Sequence, residues 1–276
     1  MGNLWTEVAE RCFVRRYEPF DVSCGVVVGG DGLLVVDSRM STTQGRQLAA
    51  DVRTLSTAPV RAVVNTHLHF DHTYGNGALR EAWPEAPIAA HESVPPALLA
   101  DEARVKGRYA ADATDPYRDE VLATDLVAPD TVFSSVWSID LGDRYVEAVH
   151  PGRGHTGGDV VVRVPDVDLV FAGDLVEESG PPAYGADSWP LEWPQTVELL
   201  IGLLSDSSVV VPGHGAPVDK DFVLAQRVDL ADVAGHIQSL AADGVPVADA
   251  PTRGSWPFPA EHLVDAVRRG YAQLGR

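Results

Sequence analysis

The amino-acid sequence predicts an α/β protein in which two β-sheets pack face to face and helices cover their outer surfaces. Short apolar segments typical of strands recur along the chain, helical patterns separate them, and both halves share a strands-then-helix order. A chain of 276 residues is long enough to bury a sizeable core as one large domain. We therefore expect a single domain over residues 1–276, with a helical insertion at about 95–130 and a helical C-terminal extension at about 219–276.

The first half contains a hairpin followed by a helix. The segment "CGVVVGGDGLLVVDS" places two apolar strands around a Gly-Gly-Asp-Gly turn. Ser41 is a typical helix N-cap with Gln44 three residues later, and Leu48, Val52 and Leu55 then recur at helical spacing. The segments "VRAVVNT" and "APIAAHE" are interpreted as further strands.

The second half repeats this order after a change in composition. Prolines, alternating charges and Ala/Leu patterning between 95 and 130 indicate helices inserted between strands, in a position suited to a lid. Strand patterns return in "DRYVEAVH", "DVVVRVP", "DLVFAGD" and "SSVVVPG", with a helix predicted at "PQTVELLIGLL". The tail after Asp219 has a helical pattern that the loop "GVPVADAPTRGSWPFP" interrupts.

Composition excludes several classes of partner. The formal net charge is −19, from 40 acidic and 21 basic residues, and such a surface repels phosphate backbones and anionic membranes. Cys12 and Cys24 are too few for a disulfide framework and are expected to be reduced. The N-terminal segment lacks the basic start and apolar run of a signal peptide, and no apolar stretch approaches the ~18 residues of a membrane span. We expect a cytoplasmic protein without nucleic-acid or membrane partners; the oligomeric state is left open.

A cluster of metal-binding side chains follows the strand "VRAVV". In "NTHLHFDHTYGN", His67 and His69 are two residues apart, so in an extended segment both imidazoles point to the same side. Asp71 and His72 follow where the chain turns into a helix, so they approach from another direction. One segment can therefore supply ligands to two neighbouring metal ions. A hydrogen-bonded polar loop and a lone structural zinc site are the alternatives that the segment by itself leaves open.

Three later segments place further metal-binding side chains after short apolar strands. "HPGRGHTGGD" contains His155, "LVFAGD" contains Asp174 at the predicted end of its strand, and "VVVPGHG" contains His214. Glycine or proline stands close to each of them and lets the backbone turn near an ion. These residues are therefore expected to meet the first cluster at one edge of the fold.

The ordered set HLHFDH, GHTGGD, AGD and PGHG resembles that of the metallo-β-lactamase-fold hydrolase superfamily, over roughly residues 20–220. The resemblance implies a four-layer αβ/βα sandwich. It also implies two metal ions with Asp174 bridging them. The ligands of the first ion would be His67, His69 and His155, and those of the second would be Asp71, His72 and His214.

The donor set suits zinc, because imidazoles and carboxylates are borderline-to-hard ligands; manganese or iron is also compatible. Two ions ~3.5–4 Å apart can share a hydroxide, since bound water has its pKa lowered towards ~7, and can polarise a substrate carbonyl. Asp71 is the candidate catalytic residue that guides the water and passes a proton to the leaving group.

Several further residues are candidates for the surroundings of the site. Asp37, after the strand "LLVV", falls where the family often has an acid that supports the metal ligands, and a turn aspartate is the alternative interpretation. Tyr184 and Trp189 lie in a proline-rich loop after Asp174 and are candidates for a pocket wall. Trp193 is expected to pack at the start of the following helix. The remaining histidines are interpreted as structural or surface residues, namely His91, His150, His236 and His262.

Branch-specific residues favour hydrolysis of a small-molecule ester, thioester or lactone. By resemblance, lactamases usually have Cys or Ser at the position of Asp174, whereas thioesterase-like and lactonase-like branches have Asp. Glu177 stands where acyl-homoserine lactonases carry Tyr, which argues against that particular activity. Three alternatives stay open: a β-lactam hydrolase, a mononuclear iron dioxygenase that resembles the persulfide dioxygenases, and a catalytically idle module in which metals only stabilise a ligand-binding fold.

Overall fold

Strand pairing in the computed structural model, which describes residues 5–276, follows one continuous path. The order is β7-β6-β5-β4-β3-β12-β11-β10-β9-β8, and β2 and then β1 extend from β3. The strands are β1 (Thr6–Ala9), β2 (Cys12–Tyr17), β3 (Val22–Val28), β4 (Leu33–Val36), β5 (Val60–Val64), β6 (Ile88–His91), β7 (Thr131–Phe133), β8 (Val136–Asp140), β9 (Tyr145–Val149), β10 (Val161–Val164), β11 (Leu169–Glu177) and β12 (Val209–His214).

Eight helices flank these strands within the described part of the chain. They are α1 (Thr42–Leu55), α2 (Phe70–Thr73), α3 (Asn76–Ala82), α4 (Val94–Ala111), α5 (Arg118–Leu122), α6 (Trp193–Ile201), α7 (Lys220–Ala242) and α8 (Val264–Gln273). Among residues 5–276, no helix combines the length and the hydropathy needed to cross a membrane.

Strand pairing between the two halves of the sheet is limited to a single residue pair. Strands β3 and β12 pair only at Val22 and His214, and every other strand pair lies within one half. The sequence interpretation of two separate sheets therefore needs a small correction, because one backbone pair joins them. That pair lies directly at a candidate metal ligand, so the junction of the halves and the site coincide.

Alternating side chains divide the molecule into layers. On β3 and β4, Val26 and Val35 pack with α1 on the outside, whereas Val27 and Leu34 face the space between the two halves. Strands β10 to β12 alternate in the same way, with one face towards α6 and α7 and the other towards the central layer. Because strand side chains alternate, each half buries both of its faces. The predicted four-layer αβ/βα sandwich is thereby confirmed.

Side-chain hydrogen bonds cap the N-termini of α1 and α7, where helices were predicted to begin. The Ser41 hydroxyl accepts a hydrogen bond from the Gln44 backbone N–H at 3.1 Å, which satisfies one of the free donors of the first turn. The Gln44 side chain does not close a capping box; its amide donates instead to Glu120 of α5 at 2.6 Å. At α7, the Asp219 carboxylate accepts from the Phe222 N–H at 3.0 Å.

Four strands lack the apolar sequence pattern that predicts a strand. β1, β2, β7 and β8 were not predicted, since they are short, contain consecutive arginines, as β2 does, or lack a buried face, as in β8, where the first, third and fifth residues of Val136–Asp140 are exposed. The prediction for Asp174 also needs correction: it lies inside β11, which continues to Glu177, and not at the strand end. Register shifts around Gly173 mark a bulge there, which re-aims the following side chain.

Candidate metal centre

Four chain segments deliver the seven predicted ligands to the junction of the two halves. His67 and His69 follow β5, and Asp71 and His72 lie in the short helix α2. The other three come from the loop between β9 and β10, from the bulged part of β11 and from the last residue of β12; they are His155, Asp174 and His214.

The donor atoms form two adjoining groups. In the first, one donor atom from each of His67, His69, His155 and Asp174 lies within 4.8 Å of the others, and in the second the same holds for Asp71, His72 and His214. The His69 Nδ1 and His155 Nε2 atoms are 2.8 Å apart, and the His72 Nε2 and His214 Nε2 atoms are 3.3 Å apart.

Asp174 lies between the two groups. Its Oδ2 is 3.5 Å from His67 Nε2 and 3.2 Å from His155 Nε2, both in the first group. The same carboxylate is 3.2 Å from His72 Nε2 through Oδ1 and 3.3 Å from His214 Nε2 through Oδ2. One carboxylate thus faces the donors of both groups at once.

These spacings fit metal ligands. Four donors held ~2.0–2.1 Å from a tetrahedral zinc ion would lie ~3.3–3.4 Å from one another, which matches most of the separations. The His67 Nε2 and Asp174 Oδ1 atoms are buried and have no hydrogen-bond partner within the described chain. Buried polar atoms without a partner are costly, so a cation between them resolves an otherwise unfavourable arrangement.

Hydrogen bonds on the outer ring nitrogens fix the tautomers. The Nδ1–H groups of His72, His155 and His214 donate to Asp37 Oδ2, Ala183 O and Phe20 O at 2.8, 2.8 and 2.7 Å. In His69 the order is reversed, because its Nε2–H donates to Asp187 at 3.1 Å and leaves Nδ1 facing the cluster. In each ring the outer nitrogen is held by a hydrogen bond, so the nitrogen that faces the cluster is the one available to a metal ion.

Asp37 supports both groups. Its carboxylate accepts from His72, from the Thr66 backbone N–H at 2.8 Å and from the Thr66 hydroxyl at 2.8 Å, and that hydroxyl lies 3.0 Å from His67 Nδ1. Asp37 is buried, and its backbone has a positive φ of 64°. The geometry gives Asp37 the contacts of a residue that orients ligands, in addition to its place in a turn.

The charges of the cluster favour a bound cation. Burial lowers the pKa of His67 well below its usual value and that of His155 to about 4, so both rings are neutral. For His214, burial also lowers the pKa, but the nearby carboxylates of Asp174 and Asp71 outweigh it and raise the pKa to about 10. A metal ion would take the place of that proton, because both respond to the same negative charge.

Two glycines allow the close approach of the segments. A Cβ on Gly213 would lie 1.8 Å from Asp174 Oδ1, so any side chain there would displace the central carboxylate. Gly173 has a φ of 53°, and a Cβ there would lie 2.7 Å from the Thr66 Cβ. Both positions therefore require glycine for the site to form.

A cavity of about 530 Å³ opens onto the cluster. Tyr184 lines it and packs against Trp193 with ring centroids 4.9 Å apart, but Trp189 is not among the lining residues. Trp189 instead lies under the guanidinium of Arg153, 3.6 Å from its ring centroid. Trp193 is fully buried at the start of α6, as expected, and donates to the Leu175 carbonyl at 3.2 Å.

Residues that sequence reasoning missed also belong to the site. Asp187 orients His69 from a distant loop, and only its position in the proline-rich segment after Asp174 could have pointed to it. Glu177 lines the cavity, lies close to Asp174 and His214, and is held by the Ser179 hydroxyl at 2.9 Å. Burial raises the pKa of Glu177 to about 8, and the Asp174 charge adds to that effect.

The loop that carries His155 is organised by the last residue of the "GHTGGD" segment. The Asp159 carboxylate accepts from the backbone N–H groups of Gly154 and Thr156 at 3.0 Å, and from the Thr156 hydroxyl at 2.7 Å. The sequence predicted no role for Asp159. Its contacts show that it shapes the loop around His155.

The remaining histidines lie outside the cluster. His91 and His150 stack on each other with centroids 4.0 Å apart and contact Ser93 and the Asp159 carbonyl. His236 packs edge-on against Trp256, and His262 is exposed. Cys12 and Cys24 are buried free thiols.

Comparison with known proteins places this geometry in a family. The model of the metallo-beta-lactamase superfamily matches residues 17–224. A metallo-beta-lactamase type 2 of Bacillus sp. (strain 170) is 29% identical over 225 residues, which cover 80% of this chain and 77% of that protein. The corresponding protein of Bacillus cereus is 28% identical over the same shares of the two chains.

A solved structure shows the same fold. The metallo-beta-lactamase from Pontibacter korlensis superposes with a TM-score of 0.66 at 22% identity, over 82% of this chain and 98% of that one. The family match spans the segments that carry all seven clustered side chains, from His67 to His214. The chain therefore belongs to the metallo-β-lactamase superfamily.

Proposed function

We propose that the protein is a dinuclear zinc hydrolase that cleaves a small-molecule ester, thioester or lactone. The observation that carries this proposal is the position of Asp174, whose carboxylate faces histidines of both donor groups within 3.5 Å. Because a single structural zinc needs only four ligands, seven converging side chains support two ions. The superfamily consists mostly of hydrolases, which supports the reaction class.

Two bound zinc ions would supply Lewis acidity and a water molecule of lowered pKa at neutral pH. The protein's own side chains would hold the ions that supply this chemistry. The five histidines, Asp71 and Asp174 would be the ligands, since their donor atoms converge in two adjoining groups. Manganese or iron would fit the same donor set, and metal analysis distinguishes them.

Asp71 is the residue proposed to move a proton. Its Oδ2 lies 3.4 Å from His214 Nε2 and 3.8 Å from His72 Nε2, and its side chain is 12% exposed where it lines the cavity. A carboxylate that contacts both the ligands and the cavity can accept a proton from the attacking water and give it to the leaving group. Asp71→Asn is therefore expected to lose rate while keeping most of its metal.

The cavity suits a small substrate. A volume of about 530 Å³ falls within the usual range for small-molecule pockets, and the lining mixes Phe20, Phe70 and Tyr184 with the polar cluster. Such a lining lets apolar rings exclude water and orient the substrate while polar atoms act on one bond. A small molecule is thus the proposed partner, and the cytoplasmic location and the exclusion of nucleic acid stay predictions.

Hydrolysis of β-lactams is the second candidate. Its support is that the two Bacillus relatives are metallo-beta-lactamases and are aligned over 80% of this chain. Against it stands Asp174, where the resemblance implies Cys or Ser in most lactamases. A β-lactam must therefore be included in any substrate panel.

The deciding experiment is a screen of zinc-reconstituted protein against esters, thioesters, lactones and β-lactams, with zinc and iron measured per chain. The proposal expects about two zinc ions and turnover of an ester, thioester or lactone. One iron ion with oxygen consumption would favour the dioxygenase alternative, and bound metal without any turnover would favour the idle module. Chelation should abolish turnover and lower the melting temperature. The free energy of unfolding should fall by about 4 kcal/mol if the metal concentration exceeds its dissociation constant a thousandfold.

A further inference from the structure

Two arginines of α4 face the cavity at its outer rim. Arg104 and Arg108 both line it, and they are four residues apart, so they project from the same side of the helix on successive turns. α4 begins the segment that the sequence identified as an insertion. Apart from histidines, these two are the cationic side chains among the lining residues.

Two carboxylates that line the cavity already have partners, whereas Arg108 pairs with no carboxylate. Asp187 accepts from His69, and Asp265 pairs with Arg268 at 2.6 Å. Arg104 is engaged by Asp101, which accepts from its Nε and Nη2 at 2.6 and 2.7 Å.

Within residues 5–276, the Arg108 guanidinium makes no ion pair within 4.0 Å and donates only to the Tyr109 hydroxyl, at 3.4 Å. In a chain with a net charge of −19, an exposed cation that pairs with no carboxylate is a candidate for an external anion.

An apolar surface connects Arg108 to the metal cluster. The Arg108 Cζ lies 5.5 Å from the Phe70 ring centroid, and Phe70 directly precedes Asp71 in the chain. Phe20 packs edge-on to Phe70 with centroids 6.0 Å apart and is 44% exposed. The cavity therefore has a reactive end, an apolar wall and a cationic rim.

We propose that Arg108, with Arg104 beside it, binds an oxyanion at the far end of the substrate. The apolar part of that substrate would lie along Phe20 and Phe70 while its reacting carbonyl reaches the donor cluster. A guanidinium is suited to this role because its fork of N–H groups matches the oxygens of carboxylate, sulfonate or phosphate. The inference rests on the proposed hydrolase function, and it makes Arg108 a specificity-determining residue.

The test uses matched substrates of the zinc-loaded enzyme. Three 4-nitrophenyl esters carry the same acyl chain with a terminal carboxylate, sulfonate or neutral carboxamide: the glutarate, 4-sulfobutyrate and glutaramate esters. We expect the parent to prefer the anionic esters in kcat/KM, mainly through KM. Arg108→Gln should reduce this preference about tenfold or more, because a charged hydrogen bond is lost, and Arg104→Gln should reduce it less, because Asp101 already shares that charge.

A control variant and a binding measurement separate the possible failures. Arg46→Gln removes one positive charge from α1, where Arg46 is 61% exposed and pairs with Glu81, and it should leave the preference unchanged. Calorimetry compares binding of glutaranilic acid with that of its terminal carboxamide, neither of which needs to be hydrolysed. Zinc ligation by the carboxylate itself contributes equally in parent and variant, so the difference between them isolates Arg108.

The inference is overturned if Arg108→Gln keeps the parental preference for the anion in both hydrolysis and binding. A carboxylate preference without a sulfonate preference identifies the anion as a carboxylate, and the reverse identifies a sulfonate-like group. If no ester, thioester or lactone of the substrate panel is turned over, the proposed hydrolase function fails, whereas the calorimetric comparison still decides whether Arg108 binds an oxyanion.

Discussion

The two donor groups of the candidate metal centre are anchored by different parts of the molecule. They are called here the first half (His67, His69, His155 and Asp174) and the second half (Asp71, His72 and His214) of the cluster. In the first, His69 and His155 are held by the Asp187 carboxylate and the Ala183 carbonyl, both from the loop between β11 and α6. In the second, His72 is held by Asp37, next to β4, and His214 is held by the carbonyl of Phe20.

The pairs that anchor His69 and His72 differ in burial. The His69 and Asp187 side chains are 17% and 38% exposed, whereas those of His72 and Asp37 are 0% and 2% exposed. Residues in loops are more mobile than those that follow buried strands. The first half should therefore bind its ion less tightly than the second, and the loop between β11 and α6 should determine that affinity.

The largest effect is expected at Asp37, which supports both halves. Asp37→Ala leaves the donors of Thr66 and His72 buried without an acceptor, so the free energy of unfolding should fall by about 3 kcal/mol or more. Metal should be lost from both halves, because His67 is oriented through the Thr66 hydroxyl. Urea unfolding and zinc per chain measure the two effects.

Asp37→Asn is the matched variant, since it keeps the shape and one acceptor oxygen, and it should fall between the parent and the alanine variant in both measurements. If Asp37→Ala loses metal from one half alone, the shared support that the geometry assigns to Asp37 is wrong.

A smaller and more selective effect is expected at Asp187. Asp187→Ala removes the acceptor of His69 alone, so affinity for the first-half ion should fall about 10–100-fold while the second ion stays bound. Stability without metal should change by less than about 1 kcal/mol, because the pair is partly exposed. Competition with a chromophoric chelator resolves the two affinities.

Asp265→Ala is the control for this experiment, because Asp265 also lines the cavity but pairs with Arg268 and contacts no ligand in the described structure. Equal losses of metal in the Asp187 and Asp265 variants would mean that the charge of the cavity, and not the orientation of His69, determines affinity.

The smallest effect is expected where α8 supports the loop. The Arg269 Nε donates to the Ser188 carbonyl at 2.9 Å, and its guanidinium lies 5.3 Å from the Trp189 ring centroid. Arg269→Ala should loosen the loop and lower the first-half affinity by less than about tenfold, since Asp187 itself is kept. Arg268→Ala, one residue away and paired with Asp265, is the matched control and should bind both ions as the parent does.

The sequence predicted the second half of the cluster more completely than the first. Asp37 directly follows an apolar strand, and the resemblance to the family indicated that an acid at this position supports the ligands. Asp187 is 118 residues from His69, and no local pattern indicates which polar residue of a long loop turns towards a ligand. Arg108 was missed for the same reason, and Glu177 was named only by its position in the resemblance, because the contacts of both depend on how distant segments meet.

The fold class was predicted correctly, whereas individual strands were found or missed for specific local reasons. The hairpin of β3 and β4 and the helix after Ser41 carry turn and cap residues that act locally. Strand β2 contains consecutive arginines, whose side chains bond to acidic partners such as Asp51, so its pattern is less apolar than a buried strand requires. The position of Asp174 inside β11 depends on a bulge, and the sequence signalled it only through Gly173.

The most direct test of the account is zinc content in the parent and in Asp174→Ala after gel filtration. Among residues 5–276, Asp174 is the one carboxylate that faces histidines of both halves, so its removal should leave the tighter second half occupied and empty the first. The account predicts about two zinc ions per parent chain and about one per chain of the variant, with an unchanged fold by circular dichroism and at least a ~100-fold loss of turnover. Asp174→Asn should lie between them. Two tightly bound zinc ions and near-parental turnover in Asp174→Ala would contradict the bridging role on which the account depends.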